Sequence, residues 1–333
     1  MAILKKIYPI LALPLLTGCE EVFTPDMPHT PVLSVNSLIT VGKPIDVEVS
    51  KTRLYTDTAS NATGVKDAVV NIYSNGQLQL DSYIPKEGDD IRIVAQSHVL
   101  GQAEAKVMIP ISVPISDVKW TVSDVEIHSY QFGEMELNRW EHVISFKLNV
   151  ELTILDPSGN NYYKFGYGFP DFNGDSAEDD NYFAPGNYGL WISGLQYNLE
   201  PIFSEHIGIF ESIMGGDAEG FTFFTDRQFS GKSYTLHLQF DNCVYRGSND
   251  FMPEPQLSLN LFSISPSYYN WANYVWQRDN GSLTDFSDYG LGDPIWGYSN
   301  VSSGAGVVAA QSKSAHTIDL TGFIRETINE TIK

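Results

Sequence analysis

The chain has 333 residues, of which 42% are hydrophobic, 13% aromatic and 18% charged, and 20 Lys and Arg stand against 41 Asp and Glu for a formal net charge of −21. The apolar content excludes a disordered chain, and the length suits about two domains of about 100–200 residues each. So acidic a balance opposes binding to nucleic acid or to anionic head groups, both of which need clustered Lys and Arg.

The N-terminus places Lys5-Lys6 before a mostly apolar run from Ile7 to Leu16. That run is too short to span a bilayer and has the form of a signal peptide over residues 1–18. It ends in Leu16-Thr17-Gly18-Cys19, which resembles the lipobox of bacterial lipoproteins, whose cysteine is diacylated and becomes the first residue after cleavage. Cys19 is thus the expected lipid anchor, and two acyl chains with a third on the amine suffice for stable attachment. Glu20-Glu21 follow directly and resemble the export signal that sends Bacteroidota lipoproteins to the outer face of the outer membrane. The same residues also read as the start of a solvated tether over 19–30, with Pro25 and Pro28 in it.

From Pro31 onward the dominant period is two, the mark of strands with one buried face. Ile45, Val47 and Val49 alternate with polar residues, as do Ala103, Ala105, Val107 and Ile109. Between them Val69 to Tyr73 runs into Ser74-Asn75-Gly76-Gln77, and Asn-Gly between apolar runs is a strong hairpin signal. These residues predict an immunoglobulin-like β-sandwich over 28–112. Pro110 and Pro114 then break the pattern and suit a joint between domains. Beyond the joint, Ile144 to Ile154 are apolar at every even position, Tyr234, Leu236, Leu238 and Phe240 repeat the alternation, and so do Leu257, Leu259 and Leu261. They predict a larger antiparallel sandwich over 113–322, in an all-β chain. Ser265-Pro266 followed by Tyr269, Ala272 and Trp276 predicts one helix up to about Arg278, and Ile324, Ile328 and Ile332 a short one in the tail 323–333.

Several segments of the second half are similar to successive motifs of a Bacteroidota outer-membrane lipoprotein family, a domain of unknown function, DUF4249. They run from Phe224-Thr225-Asp226 through Phe229, Gly231 and Tyr234; from Phe262 to Tyr269; and from Asp293-Pro294 through Ser299-Asn300 to Gly304-Ala305-Gly306-Val307. Pro31 to Ile39, with Gly42-Lys43-Pro44, resembles the same family's first strand after the tether. Asp293 stands where the family has Glu, and 171–180 reads as an insertion. The resemblance implies a partner of TonB-dependent outer-membrane receptors with an accessory role in nutrient uptake, and no catalytic residues. On the residues alone, Ser299-Asn300 and Gly304-Ala305-Gly306 suit a turn, or a place where another backbone passes close.

Chemical motifs are sparse. The seven histidines are scattered, with no His-Glu-x-x-His, Cys-x-x-Cys, phosphate loop or Gly-x-Ser-x-Gly elbow. Cys243 is left alone if Cys19 is acylated, and a buried inert thiol is expected. In the loop 171–180, Asp171, Asn173, Asp175 and Asp179 stand at relative positions 1, 3, 5 and 9, which suits a hard cation such as Ca²⁺. The competing reading is a solvated acidic loop, because Tyr182 stands where a bidentate Glu should close the shell. Asp175-Ser176-Ala177 and Asp57-Thr58-Ala59 resemble acceptors of Bacteroidota O-glycosylation at Ser176 and Thr58. Trp191, Trp271, Trp276 and Trp296 read as core first and as sugar platforms second. The expectation is a non-enzymatic surface lipoprotein that serves a TonB-dependent receptor in capturing an unknown nutrient, with no nucleic-acid partner. The alternative is a stand-alone glycan- or protein-binding module or adhesin.

Overall fold

A computed structural model describes residues 30–53, 64–80, 82–132, 139–168, 188–204, 221–280 and 297–331. They form an all-β molecule of three sheets. The largest has six strands in the spatial order β11 (Phe223–Thr225), β9 (Tyr162–Gly168), β13 (Gln256–Ile264), β15 (Val308–Asp319), β1 (Leu33–Thr40) and β2 (Glu48–Lys51). A four-stranded sheet runs β10 (Gly189–Leu195), β12 (Ser233–Ser248), β8 (Arg139–Leu155) and β7 (Ile115–Phe132). A five-stranded sheet runs β14 (Val301–Ser302), β6 (Gly101–Met108), β5 (Asp90–Ser97), β3 (Val69–Ser74) and β4 (Gln77–Leu78). No helix among the described residues is long and apolar enough to cross a membrane.

The alternating stretches become strands because each buries one face. Ile144, Phe146, Leu148, Val150, Leu152 and Ile154 of β8 are all buried, as are Leu236, Leu238 and Phe240 of β12. A bulge between Phe240 and Cys243 then shifts β12 from even to odd positions, so that Cys243 and Tyr245 still point into the core. β7 carries a matching irregularity between Ser123 and Glu126, where Asp124 takes a φ of 52°. The β3–β4 hairpin turns on Asn75 and Gly76 at φ 52° and 80°, the left-handed pair that a two-residue turn between twisted strands requires.

Both smaller sheets pack on one face of the six-stranded sheet. The four-stranded sheet covers its β9–β13 half, enclosing Phe165, Tyr163, Phe224, Leu257, Leu259 and Leu261 with the inner residues of β8 and β12. The five-stranded sheet covers the β1 half, enclosing Leu33, Val35, Ile39, Ile91, Ile93 and Ala105. β15 belongs to both: Val308 and Ala310 lie in the second core and Ile318 in the first. The Pro110–Pro114 joint crosses between them. There Val113 donates its N–H to Ser263 Oγ (3.2 Å) and accepts from Ser314 Oγ (2.6 Å).

Helix α1 (Pro266–Asn280) covers the predicted segment. Tyr268 N–H donates to Ser265 Oγ (3.3 Å), the hydrogen bond of an N-cap. Tyr268 packs with Phe262, Ile264 and Ala309 on the opposite face of the six-stranded sheet, and Ala272 and Trp276 pack on Phe221. Helix α2 (Thr321–Thr331) starts two residues before the expected tail, where Asp319 Oδ1 accepts the Thr321 N–H (2.8 Å) and is held below the usual carboxylate range by it. Its Ile324 and Ile328 join the larger core.

One pairing departs from the antiparallel reading of the sequence. β1 runs parallel to β15, with Ser37 to Thr40 opposite Val308 to Gln311. Just before β15 the segment 304–307 lies against β1: Val35 N–H donates to Ala305 O (2.8 Å), Ala305 N–H to Leu33 O (2.9 Å) and Ser37 N–H to Val307 O (3.0 Å). This is the close backbone approach expected of Gly304-Ala305-Gly306. A Cβ on Gly304 would stand 2.6 Å from Leu33 O, and one on Gly306 2.2 Å from Val35 O, with a φ of +107° at Gly306. Gly304→Ala and Gly306→Ala should each lose about 3 kcal/mol or more in urea unfolding. Gly322→Ala, whose Cβ would meet nothing within 4 Å, should be neutral or gain up to about 1 kcal/mol.

Candidate functional site

Three of the segments that carry the family likeness meet at the start of β15. Asn300 donates from Nδ2 to Val308 O (2.8 Å) and accepts the Val308 N–H on Oδ1 (2.9 Å), so a side-chain amide stands in for a strand neighbour. Asn36 Oδ1 accepts the Val307 N–H (3.0 Å), Ser299 Oγ donates to Gly306 O (2.9 Å), Ser267 Oγ donates to Val308 O (2.9 Å) and Ser265 Oγ accepts the Ala310 N–H (3.0 Å). Their polar atoms are engaged by one another and by backbone, which makes this a clamp for β15. Beside it a hollow of about 270 Å³ is lined by Asn36, Leu38, Tyr268, Trp271, Val307 and Ala309.

A second motif segment forms a closed corner. Asp156 and Asp226 are both buried. Tyr163 OH donates to Asp156 Oδ1, Gly231 N–H donates to Asp156 Oδ2 (2.8 Å), and Asn161 Nδ2 donates to Asp226 Oδ2 (3.0 Å) and to Pro157 O (2.8 Å). Burial raises the Asp156 pKa, the nearby Asp226 charge adds to the rise, and the Tyr163 and Gly231 hydrogen bonds oppose it. Burial also pushes the Tyr163 phenol up. The network ties the turn after β8 to the turn before β12.

A third arrangement lies on the solvent face of the four-stranded sheet. Strand register sets Lys119 beside Glu151 and Glu151 beside His237, and in the next row Thr121 beside Asn149 and Asn149 beside Gln239. With Leu199 as a wall, these residues line a groove of about 320 Å³. Leu199 is positioned by the adjoining Glu200, whose buried carboxylate accepts from Tyr234 OH (2.6 Å) and from His237 N–H (2.7 Å) where β10 no longer pairs with β12. The alternation of Tyr234, Leu236, Leu238 and Phe240 leaves His237 on the outer side of its strand, and no motif marks Lys119, Asn149, Glu151 or Gln239. Their one sequence signal is that polar alternate positions recur in several stretches destined to pair.

The remaining expected residues divide plainly. Cys19, Glu20, Glu21, Thr58, Asp171, Asn173, Asp175, Ser176 and Asp179 lie outside the described residues, as do His29, His206, Asp293 and Trp296. Cys243 is buried, and burial pushes its thiol up to about 12. His142 is buried between Ser129 Oγ (3.0 Å) and Asn249 Oδ1 (2.9 Å), a structural joint. Trp276 is core, whereas Trp271 is 40% exposed. Among the described residues no three His, Cys, Asp or Glu side chains gather as a metal site.

A family model described as a domain of unknown function, DUF4249, matches residues 20–317. The chain belongs to that family. No curated protein and no solved structure matches it. In this DUF4249 chain the match takes in all three sheets but for the last two residues of β15, the β15 clamp, the Asp156 corner and the groove, and leaves out all of α2.

The Asp156 corner gives a pH-dependent test. Its carboxyl has a folded pKa above the unfolded one, so its contribution to stability is full below the unfolded value and falls as pH rises through the folded value. Tyr163→Phe removes the phenol donor and should raise that pKa further. Urea unfolding should show a loss of about 1–3 kcal/mol that is larger at pH 7 than at pH 4.

Proposed function

We propose that this DUF4249 protein is an outer-membrane lipoprotein anchored through Cys19 and facing the cell exterior, where it acts as a non-enzymatic accessory subunit of a TonB-dependent receptor and aids capture of that receptor's nutrient. The observation that carries the reading is the junction at residues 16–21. The Leu-Thr-Gly-Cys box ends at Cys19, and the family match opens at residue 20, one residue after the cysteine that cleavage would leave at the head of the mature chain. Glu20-Glu21 at that point support display on the outer face. The stand-alone binding module is the second reading, and the polar groove on the four-stranded sheet favours it, since a concave face of convergent polar groups is what a ligand-binding surface needs.

Cys19→Ala should abolish palmitate incorporation and move the protein out of the membrane fraction. A mild-detergent pull-down of the tagged, acylated protein from native outer membranes should recover one TonB-dependent receptor in stoichiometric amount by mass spectrometry, and the Cys19→Ala control should not. Recovery of the acylated protein alone would overturn the subunit reading and leave the binding module.

A further inference from the structure

We propose that the groove on the four-stranded sheet binds a short neutral saccharide through Lys119, Thr121, Asn149, Glu151, His237 and Gln239. The inference deepens the capture role above and rests on it for its place in nutrient uptake.

The sheet face is a lattice of polar side chains whose ends are satisfied and whose middle is not. At the margins Thr153 Oγ1 bonds Thr235 Oγ1 (2.9 Å), Gln239 Nε2 donates to Asp241 Oδ1 (2.6 Å), Lys119 Nζ lies 3.7 Å from Asp117, and Lys147 Nζ lies 2.9 Å from Asp124. Between them the side chains of Thr121, Asn149, Glu151 and His237 make no hydrogen bond among the described residues. They are held in rows by the ladders on either side, so their spacing is set before any ligand arrives. An ordinary sheet face sheds such groups into bulk water. Here they line a concavity of about 320 Å³, near the lower end of the about 300–1,000 Å³ of ligand pockets, which fits a short segment of sugar.

The chemistry of the lining selects the ligand class. Amides, a hydroxyl and an imidazole each donate and accept, as every sugar hydroxyl does, and the exposed Leu199 offers an apolar wall for the C–H face of a ring. The formal charges of Lys119 and Glu151 balance within the groove. An apolar ligand would leave the side chains of Thr121, Asn149, Glu151 and His237 covered and without partners. An anionic one would meet Glu151 in a chain of net charge −21. A peptide adding as a strand would join the outer edge of β7 rather than lie on this face, because the main-chain groups of β8 are bonded to β7 on one side and to β12 on the other.

The test uses the full acylated protein in lipid nanodiscs, with no glycoside detergent, against neutral oligosaccharides of glucose, mannose, galactose and xylose. Saturation-transfer NMR and calorimetry read binding. At least one oligosaccharide should bind, and Asn149→Ala/His237→Ala should weaken it at least about tenfold with an unchanged melting temperature. Leu199→Ala should weaken it less. No binding to the wild type at millimolar sugar, equal binding to the double variant, or displacement of the sugar by triglycine would overturn the proposal. Receptor recovery is measured in parallel with the double variant. A retained receptor without sugar binding defeats the saccharide reading alone, and sugar binding without any receptor defeats the subunit reading alone.

Discussion

The close passage of two backbones at Gly304 and Gly306 is the constraint on which the rest of this fold hangs. Three hydrogen bonds draw residues 305–307 against β1, and the carbonyls of Leu33 and Val35 occupy the space that any side chain would need. That contact delivers the chain into β15 in register with β1, and β15 then joins β1 to β13. The β1–β15 pairing is the link between the β1–β2 pair and the strands grouped on β13. The polar residues around the passage, Asn36, Ser299 and Asn300, serve the same end by satisfying backbone groups that no strand reaches.

A single sheet face shared by two smaller sheets explains how a chain of this length keeps two cores in fixed relation. The seam between them is polar. Ser263, Ser312 and Ser314 sit where the Pro110–Pro114 joint crosses, and two of the three hold the backbone of Val113. Ser312 is fully buried, and its Oγ has no hydrogen-bond partner among the described residues, an arrangement that costs on the order of 1–3 kcal/mol. The serines thus separate the cores while the strand that carries two of them belongs to both.

Much of this was legible in the sequence because burial on one face of a strand imposes its own period. β8, β13, β6, the Asn75-Gly76 turn and the Ser265-Pro266 helix start were all readable from local residues. Three things were not. The bulge at Phe240–Cys243 changes which parity of β12 faces inward, so alternation past Phe240 is misleading when read alone. The parallel β1–β15 pair joins positions as much as 271 residues apart, and no local pattern encodes it. The joint at Pro110–Pro114 was visible, but the return of Val301, Val308 and Ala310 to the core of the first hundred residues was not. The candidate site failed to show for a related reason. Lys119, Asn149, Glu151 and His237 are each an ordinary outward-facing residue, and only the register of three strands brings them together.

The placement of β15 also governs the order in which the protein can assemble. The core around Leu33 and Ile91 takes Val301, Val308 and Ala310 from the last tenth of the chain. Loop closure over such a separation must precede the contacts that reward it, which slows folding. The first strand to be synthesised therefore waits for nearly the last, and neither core is complete on a nascent chain. Synthesis runs from one end to the other, whereas folding closes on both ends at once.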